Sequence, residues 1–452
     1  MCLACLVGML ASCSGSDYLN AIPKKSTALI SVDMQQMASD IHAEDKAGML
    51  KSLLHVEDVD KCGIDITEKM YLFESADGNL GLCAKVSSES DVEDWLASLA
   101  KQHIASEVKE RKGFHFAVLK DSWLVGFSDQ ALLVMGPVVA DAQAQLQQQM
   151  VRYLKAEEEE GITVSPLFER LQTITFPMAM VAQAQALPEK FIAPFTLGAP
   201  KDTDPSQVVI AAEMNVKDGI LQIHCETFSF NKTIDAALQK AIANYRPIKG
   251  NYVKSMPGDA LAGIFMNVKG EQFLPMMQSN SSLQTLLMGI NQAVDMDNII
   301  RSVDGDMTIV MPTLGDADLK IMMAAKLAHS KWLGDVDYWK KSCPPGAKIA
   351  NWAKNAYFYT DGKTSFYFGV TDDKQFYSGS DELTAQYAVK PSNHPIDAKI
   401  QKLIVGQKLA MVINLAKSSD GSGTGKDDAI STVTGLLAPV FGNLTSVVYT
   451  LK

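Results

Sequence analysis

Two stretches of this 452-residue chain carry one pattern at a fixed spacing. "YLNAIPKKSTALISVD" (18–33) matches "YVKSMPGDALAGIFMN" (252–267), pairing Tyr18 with Tyr252, Pro23 with Pro257, Ala28 with Ala262 and Ile30 with Ile264. Each reads as an extended lead-in, a proline turn and a strand that ends in an acid or amide. Internal self-similarity restricts the fold more than any single motif, because each copy must form the same supersecondary unit.

The match continues downstream. Helical apolar spacing follows in both halves, at Met49, Leu50, Leu53 and Leu54 and at Leu283, Leu286, Leu287 and Ile290. Paired strands come next, "KMYLFES" with "NLGLCAKV" and "DMTIVMPT" with "DLKIMMAAKL", each leading to a helix with a tryptophan, Trp95 or Trp332. "WLVGFSD" (123–129) then matches "FYFGVTD" (366–372), aligning Gly126 with Gly369, Asp129 with Asp372 and Gly136 with Gly379. An amphipathic helix with Leu146, Met150 and Leu154 on one face is expected in the first half. So is a hairpin turning at Asp218-Gly219. The expected fold class is therefore α+β. Two duplicated units, 18–250 and 251–452, would each form a mainly antiparallel sheet with helices packed on one face.

Residues 1–12 have the apolar, small-residue character of a signal peptide, although no Lys or Arg follows Met1. Leu10-Ala11-Ser12-Cys13 is similar to a bacterial lipobox, in which the cysteine becomes the acylated first residue of the mature protein. Cys13 is thus the expected lipidation site, and residues 13–17 are a short lipidated tether. Two or three palmitate-type chains, at about 0.8 kcal/mol per buried CH₂, suffice for stable anchoring. The remaining Cys62, Cys83, Cys225 and Cys343 lack metal-ligand spacing. They are expected as free thiols, with a Cys62–Cys83 bridge as the alternative that an oxidising compartment allows.

A net charge of −11 argues against nucleic acid as a partner. No metal or cofactor is indicated. "GSGTGK" (421–426) falls one residue short of a phosphate loop and has Asp427 where the hydroxyl belongs, so a surface loop is expected. Glu157 to Glu160 read as a solvated helix end. The histidines at 42, 55, 103, 115, 224, 329 and 394 show no ligand spacing. The Gly126/Asp129 and Gly369/Asp372 elements fit caps or turns. Trp123, Phe366, Tyr367 and Phe368 are expected in packing, with any exposed subset suited to glycan or peptide.

The lipobox, the Tyr-x₃-Ile-Pro lead-in, "GIDITEKMYLF" and the strand-Gly-x-Ser/Thr-Asp element together resemble the Bacteroidetes-type lipoproteins grouped as domain of unknown function 4836. The resemblance implies an outer-membrane-associated lipoprotein with no catalytic residues to carry over. The expected function is a non-catalytic binding or assembly module, with membrane contact through its lipid and an envelope protein or glycan as partner. The alternative is an envelope hydrolase acting on glycan or peptide with acids from both repeats.

Overall fold

The computed structural model describes residues 15–37, 51, 58–187, 195–279, 293–312, 320–363, 365–415 and 444–451. The signal segment, Cys13, His42, His55, both leucine-rich helical patterns and "GSGTGK" lie outside the described residues. By contacts the chain forms two compact units, one up to Val181 and one from Ala182.

The first unit contains β1 (Ala28–Val32), β2 (Met70–Glu74), β3 (Leu80–Lys85), β4 (Lys109–Arg111), β5 (Phe114–Leu119), β6 (Trp123–Phe127), β7 (Ala131–Gly136) and the start of β8 (Met178–Gln183). Its pairing order is β8-β1-β2-β3-β7-β6-β5-β4. The helices are α1 (Met34–Met37), α2 (Glu89–Lys101), α3 (Gln143–Leu154) and α4 (Pro166–Gln172). Ser88 caps α2 by accepting from the Asp91 N–H. Val92, Leu96 and Leu99 of α2 pack on Ala84, Ala117, Val125 and Phe127. On the other face α3 brings Leu146 and Met150 into the core, as its periodicity predicts.

The second unit contains β9 (Val209–Lys217), β10 (Ile220–Phe228), β11 (Ala262–Lys269), β12 (Val303–Met311), β13 (Met322–Leu327), β14 (Lys348–Ala353), β15 (Ala356–Thr360), β16 (Ser365–Val370), β17 (Gln375–Gly379), β18 (Leu409–Asn414) and β19 (Ser446–Leu451). They pair in the order β9-β10-β19-β18-β11-β12-β13-β17-β16-β15-β14. The helices are α5 (Lys232–Ile242), α6 (Gly270–Ser279), α7 (Met296–Arg301), α8 (Val336–Lys341), α9 (Glu382–Tyr387) and α10 (Ala398–Ile404). The expected hairpin forms β9 and β10, with Asp218 and Gly219 both at positive φ as a type I′ turn requires.

Two corrections to the expected fold class follow. Among the described residues nineteen strands belong to one mostly antiparallel sheet, not to two duplicated sheets. Nor do helices keep to one face. In the first unit α2 and α3 pack on opposite faces, which is why the β7 run Leu132-Leu133-Val134-Met135 is apolar without alternation. In the second, Ala385 of α9 backs onto Gly379, whereas Trp332 and Trp339 cover Phe368 on the other face. The sequence repeat survives as an order of pairing, since β18-β11-β12-β13-β17-β16-β15-β14 follows the first unit's succession. The match of Gly136 with Gly379 is off by one. Leu124 faces Met135, but Tyr367 faces Gly379, because the second turn has an extra residue.

Candidate functional site

The repeated proline turn stands between two concave surfaces of the second unit. A 3-10 turn over Val253–Ser255 leads to Met256, buried in the core, and then to Pro257 and the exposed Gly258 and Asp259. The segment before α10 holds the turn in place. Gly258 N–H donates to His394 O at 2.8 Å, Ile396 N–H to Met256 O at 3.0 Å, and Ser392 N–H to Lys254 O at 2.9 Å. Asn414 Nδ2 donates to Gly258 O at 2.9 Å. In the first unit Pro23 bridges Gly161 in the corresponding way.

On one side of the turn lies a groove of about 610 Å³. Pro257, Pro312, Met322, Leu383, Tyr387 and Pro395 give it apolar walls, and Asp259 and His394 stand at the wall as its titratable groups. Leu383 and Tyr387 project from α9 with 64% and 43% exposure, an unusual investment of large apolar groups at the surface. Asp381 fixes that helix by accepting from the Thr384 N–H at 2.8 Å.

On the other side lies a smaller pocket of about 290 Å³, with Asp218, Asp397 and Lys399 at its rim. Its acids are already engaged. Lys399 Nζ sits 2.9 Å from Asp218, and that hydrogen bond and charge hold the Asp218 carboxyl below its ordinary range. Asp397 caps α10 by accepting from the Lys399 N–H at 2.6 Å. A general acid needs a raised carboxyl pKa, opposite to the shift at Asp218.

The sequence-singled residues are placed as follows. Ser128 accepts from the Gln130 and Ala131 N–H groups, so Asp129 belongs to a hairpin turn. Thr371 accepts from Gln375 N–H, while Asp372 pairs with Lys354 at 2.8 Å. Both Gly/Asp elements are therefore turns. Glu157 to Glu160 lie beyond the end of α3 in an exposed turn, which corrects their reading as a helix end. Their backbone oxygens serve the first unit's proline turn, with Glu160 O accepting from the Lys24 N–H and Glu159 O from Lys24 Nζ. Cys62, Cys83, Cys225 and Cys343 are all free thiols, so the Cys62–Cys83 alternative is not realised. His115 Nδ1 lies 3.1 Å from Glu89 and stacks on Phe127; His224 meets Thr450. Trp123 is half-buried against Gly136. No group of three or more potential metal ligands occurs among the described residues. No helix among them is long and apolar enough to cross a membrane.

A family model described as a domain of unknown function, DUF4836, matches residues 18–399. The chain belongs to the DUF4836 family. The match begins at Tyr18, the first residue of the repeated lead-in, and runs into α10, so it takes in both proline turns of this DUF4836 member and the whole α9 wall of the groove. No curated protein matches the chain. Among solved structures, crystal form IV of TP0453 is similar over 44% of this chain and 76% of that one, at 10% identity and a TM-score of 0.28. Crystal form III covers 44% and 75%, at 11% identity and 0.26.

Sequence reasoning singled out the proline turns as scaffold and missed the groove beside one of them. The available signal was "DELTAQY" (381–387), where an Asp cap opens a helix whose Leu383 and Tyr387 lie four residues apart on one face.

Proposed function

We propose that this DUF4836 protein is a non-catalytic binding module of the bacterial envelope, anchored to the outer membrane by lipid on Cys13. The groove beside Pro257 receives the ligand. The observation that carries the binding role is the pairing of a 610 Å³ apolar-walled groove with two exposed apolar side chains of a capped helix, Leu383 and Tyr387. Such grooves with a few polar groups are the default form of a ligand site. The neighbouring Asp218 and Asp397 support this reading over a hydrolase, because one is salt-bridged and the other caps a helix.

Support for the anchor comes from Leu10-Ala11-Ser12-Cys13. Metabolic labelling with palmitate tests it. Label and membrane fractionation should disappear in Cys13→Ala, and unchanged labelling overturns the anchor. For the groove, the fluorescent apolar probe ANS should bind the folded chain and lose most of its signal in Leu383→Arg. Equal ANS binding in both proteins removes the groove from the reading.

A further inference from the structure

The strongest surface outside the groove is a face of β14 to β17. In the first unit the corresponding face of β5 to β7 carries Phe116, Leu124, Leu133 and Met135, none more than 3% exposed, with Met150 of α3 seated over Gly126. There the covering helix α3 has 12 residues; in the second unit α9 has six. Register places Phe358, Tyr367 and Tyr377 on the second unit's face, with Gly369 opposite Tyr377. Where the first unit has the buried Leu124 and Leu133, the second has Tyr367 and Tyr377, both half-buried.

These rings form a ledge. Phe358 and Tyr367 stack with centroids 5.4 Å apart and planes at 19°. Trp352 meets Tyr367 at 5.9 Å and Tyr377 at 6.3 Å, both edge to face. Its indole N–H donates to Tyr357 O at 2.9 Å, which fixes the ring. At one end Lys348 Nζ lies 5.6 Å from the Phe358 centroid and makes no ion pair among the described residues. Lys348 pairs with Thr360, and the Thr360 and Ser365 hydroxyls stand 3.4 Å apart beside the same ring.

We infer that this ledge binds an acidic glycan, a sugar chain carrying carboxylate or phosphate. A sugar ring presents C–H groups on its faces and hydroxyls at its edge. The half-buried rings of Trp352 and Tyr367 suit the first, and Thr360 and Ser365 suit the second. The charge complements an anion: in a chain of net −11, Lys348 and Lys363 stand at the Thr360 end of the ledge against Asp361, while Lys354 at the other end is already paired with Asp372. Fixed rings lose little freedom on binding. The inference rests on neither the groove nor the anchor.

Titration of the full chain with polygalacturonate, methyl-esterified polygalacturonate and phosphomannan tests it, followed by tryptophan fluorescence and calorimetry. Binding of one or both anionic polymers is expected, at least tenfold tighter than the esterified one, and which of them binds identifies carboxylate or phosphate. Lys348→Ala should weaken binding at least fivefold at low salt with an unchanged melting temperature. Tyr367→Ala should abolish it, with circular dichroism as the check on folding. No binding by either anionic polymer overturns the inference, as does binding indifferent to both substitutions. Self-association abolished by Tyr367→Ala would overturn it in favour of a second copy on the ledge.

Discussion

Tyr377 lies across Gly369, so that a Cβ added to the glycine would stand 2.5 Å from the tyrosine hydroxyl. The contact explains a glycine in the middle of β16, and it sets the tilt at which Tyr377 meets Trp352. Gly369→Ala should therefore destabilise the protein by about 1–3 kcal/mol. Urea denaturation measures the loss, and the Trp352 emission maximum should move as Tyr377 is displaced. An unchanged midpoint would show that the ring has room to swing away.

Asp306 organises the lead-in to the proline turn of the second unit. Only 3% exposed, it accepts from the Lys249 N–H, the Asn251 N–H and Asn267 Nδ2, each at 2.9 Å. Asp306→Ala would leave these donors without their acceptor and should cost about 2–4 kcal/mol. Equilibrium unfolding checks this, and amide exchange at Lys249 and Asn251 should rise with it.

The Asp218–Lys399 pair has a definite pH signature. The hydrogen bond and charge of Lys399 lower the Asp218 pKa, and those of Asp218 raise that of Lys399. A lowered carboxyl pKa contributes stability that is present above its unfolded value and lost as pH falls through the folded one. A raised ammonium pKa contributes below its unfolded value and is lost as pH rises through the folded one. The pair therefore acts between the two and is lost towards acid as Asp218 protonates and towards alkali as Lys399 deprotonates. In Lys399→Ala the Asp218 carboxyl should titrate nearer about 3.9, as read by NMR. An unmoved titration would place the cause elsewhere.

Thiol reactivity should separate the cysteines. Cys62, Cys83 and Cys225 are buried, and burial pushes the Cys62 and Cys83 thiols up. Cys343 is half-buried near the surface. Iodoacetamide at neutral pH should label Cys343 first and the other three only in denaturant, as mass spectrometry of the folded and unfolded chain would show. Rapid native labelling of Cys83 would contradict the packing around Tyr18, whose carbonyl accepts from Cys83 Sγ at 3.4 Å.

Leu383 and Tyr387 carry the groove's apolar surface without supporting the fold. Leu383→Ser should change unfolding free energy by no more than about 0.5 kcal/mol, since the side chain is 64% exposed. Thermal denaturation checks this, and a large loss would make Leu383 part of the core.

By itself the sequence determined the local elements: the Asp218-Gly219 hairpin, the amphipathic stripe of α3, the Ser128 and Thr371 turns and the proline lead-in of each repeat. Each is encoded by neighbours within a few residues, through turn chemistry or side-chain period. Tertiary structure alone decided that β10 pairs in parallel with β19, placing Cys225 opposite Leu451. It also decided that the strands join one sheet with helices on both faces. The run Phe366-Tyr367-Phe368 makes the division plain. Alternation requires its rings to point to opposite faces, but not which face is covered. Trp332 and Trp339 cover Phe368, on which Phe366 stacks, and the short α9 leaves Tyr367 half-buried. What covers a strand face is contributed by distant chain, and no local pattern encodes it.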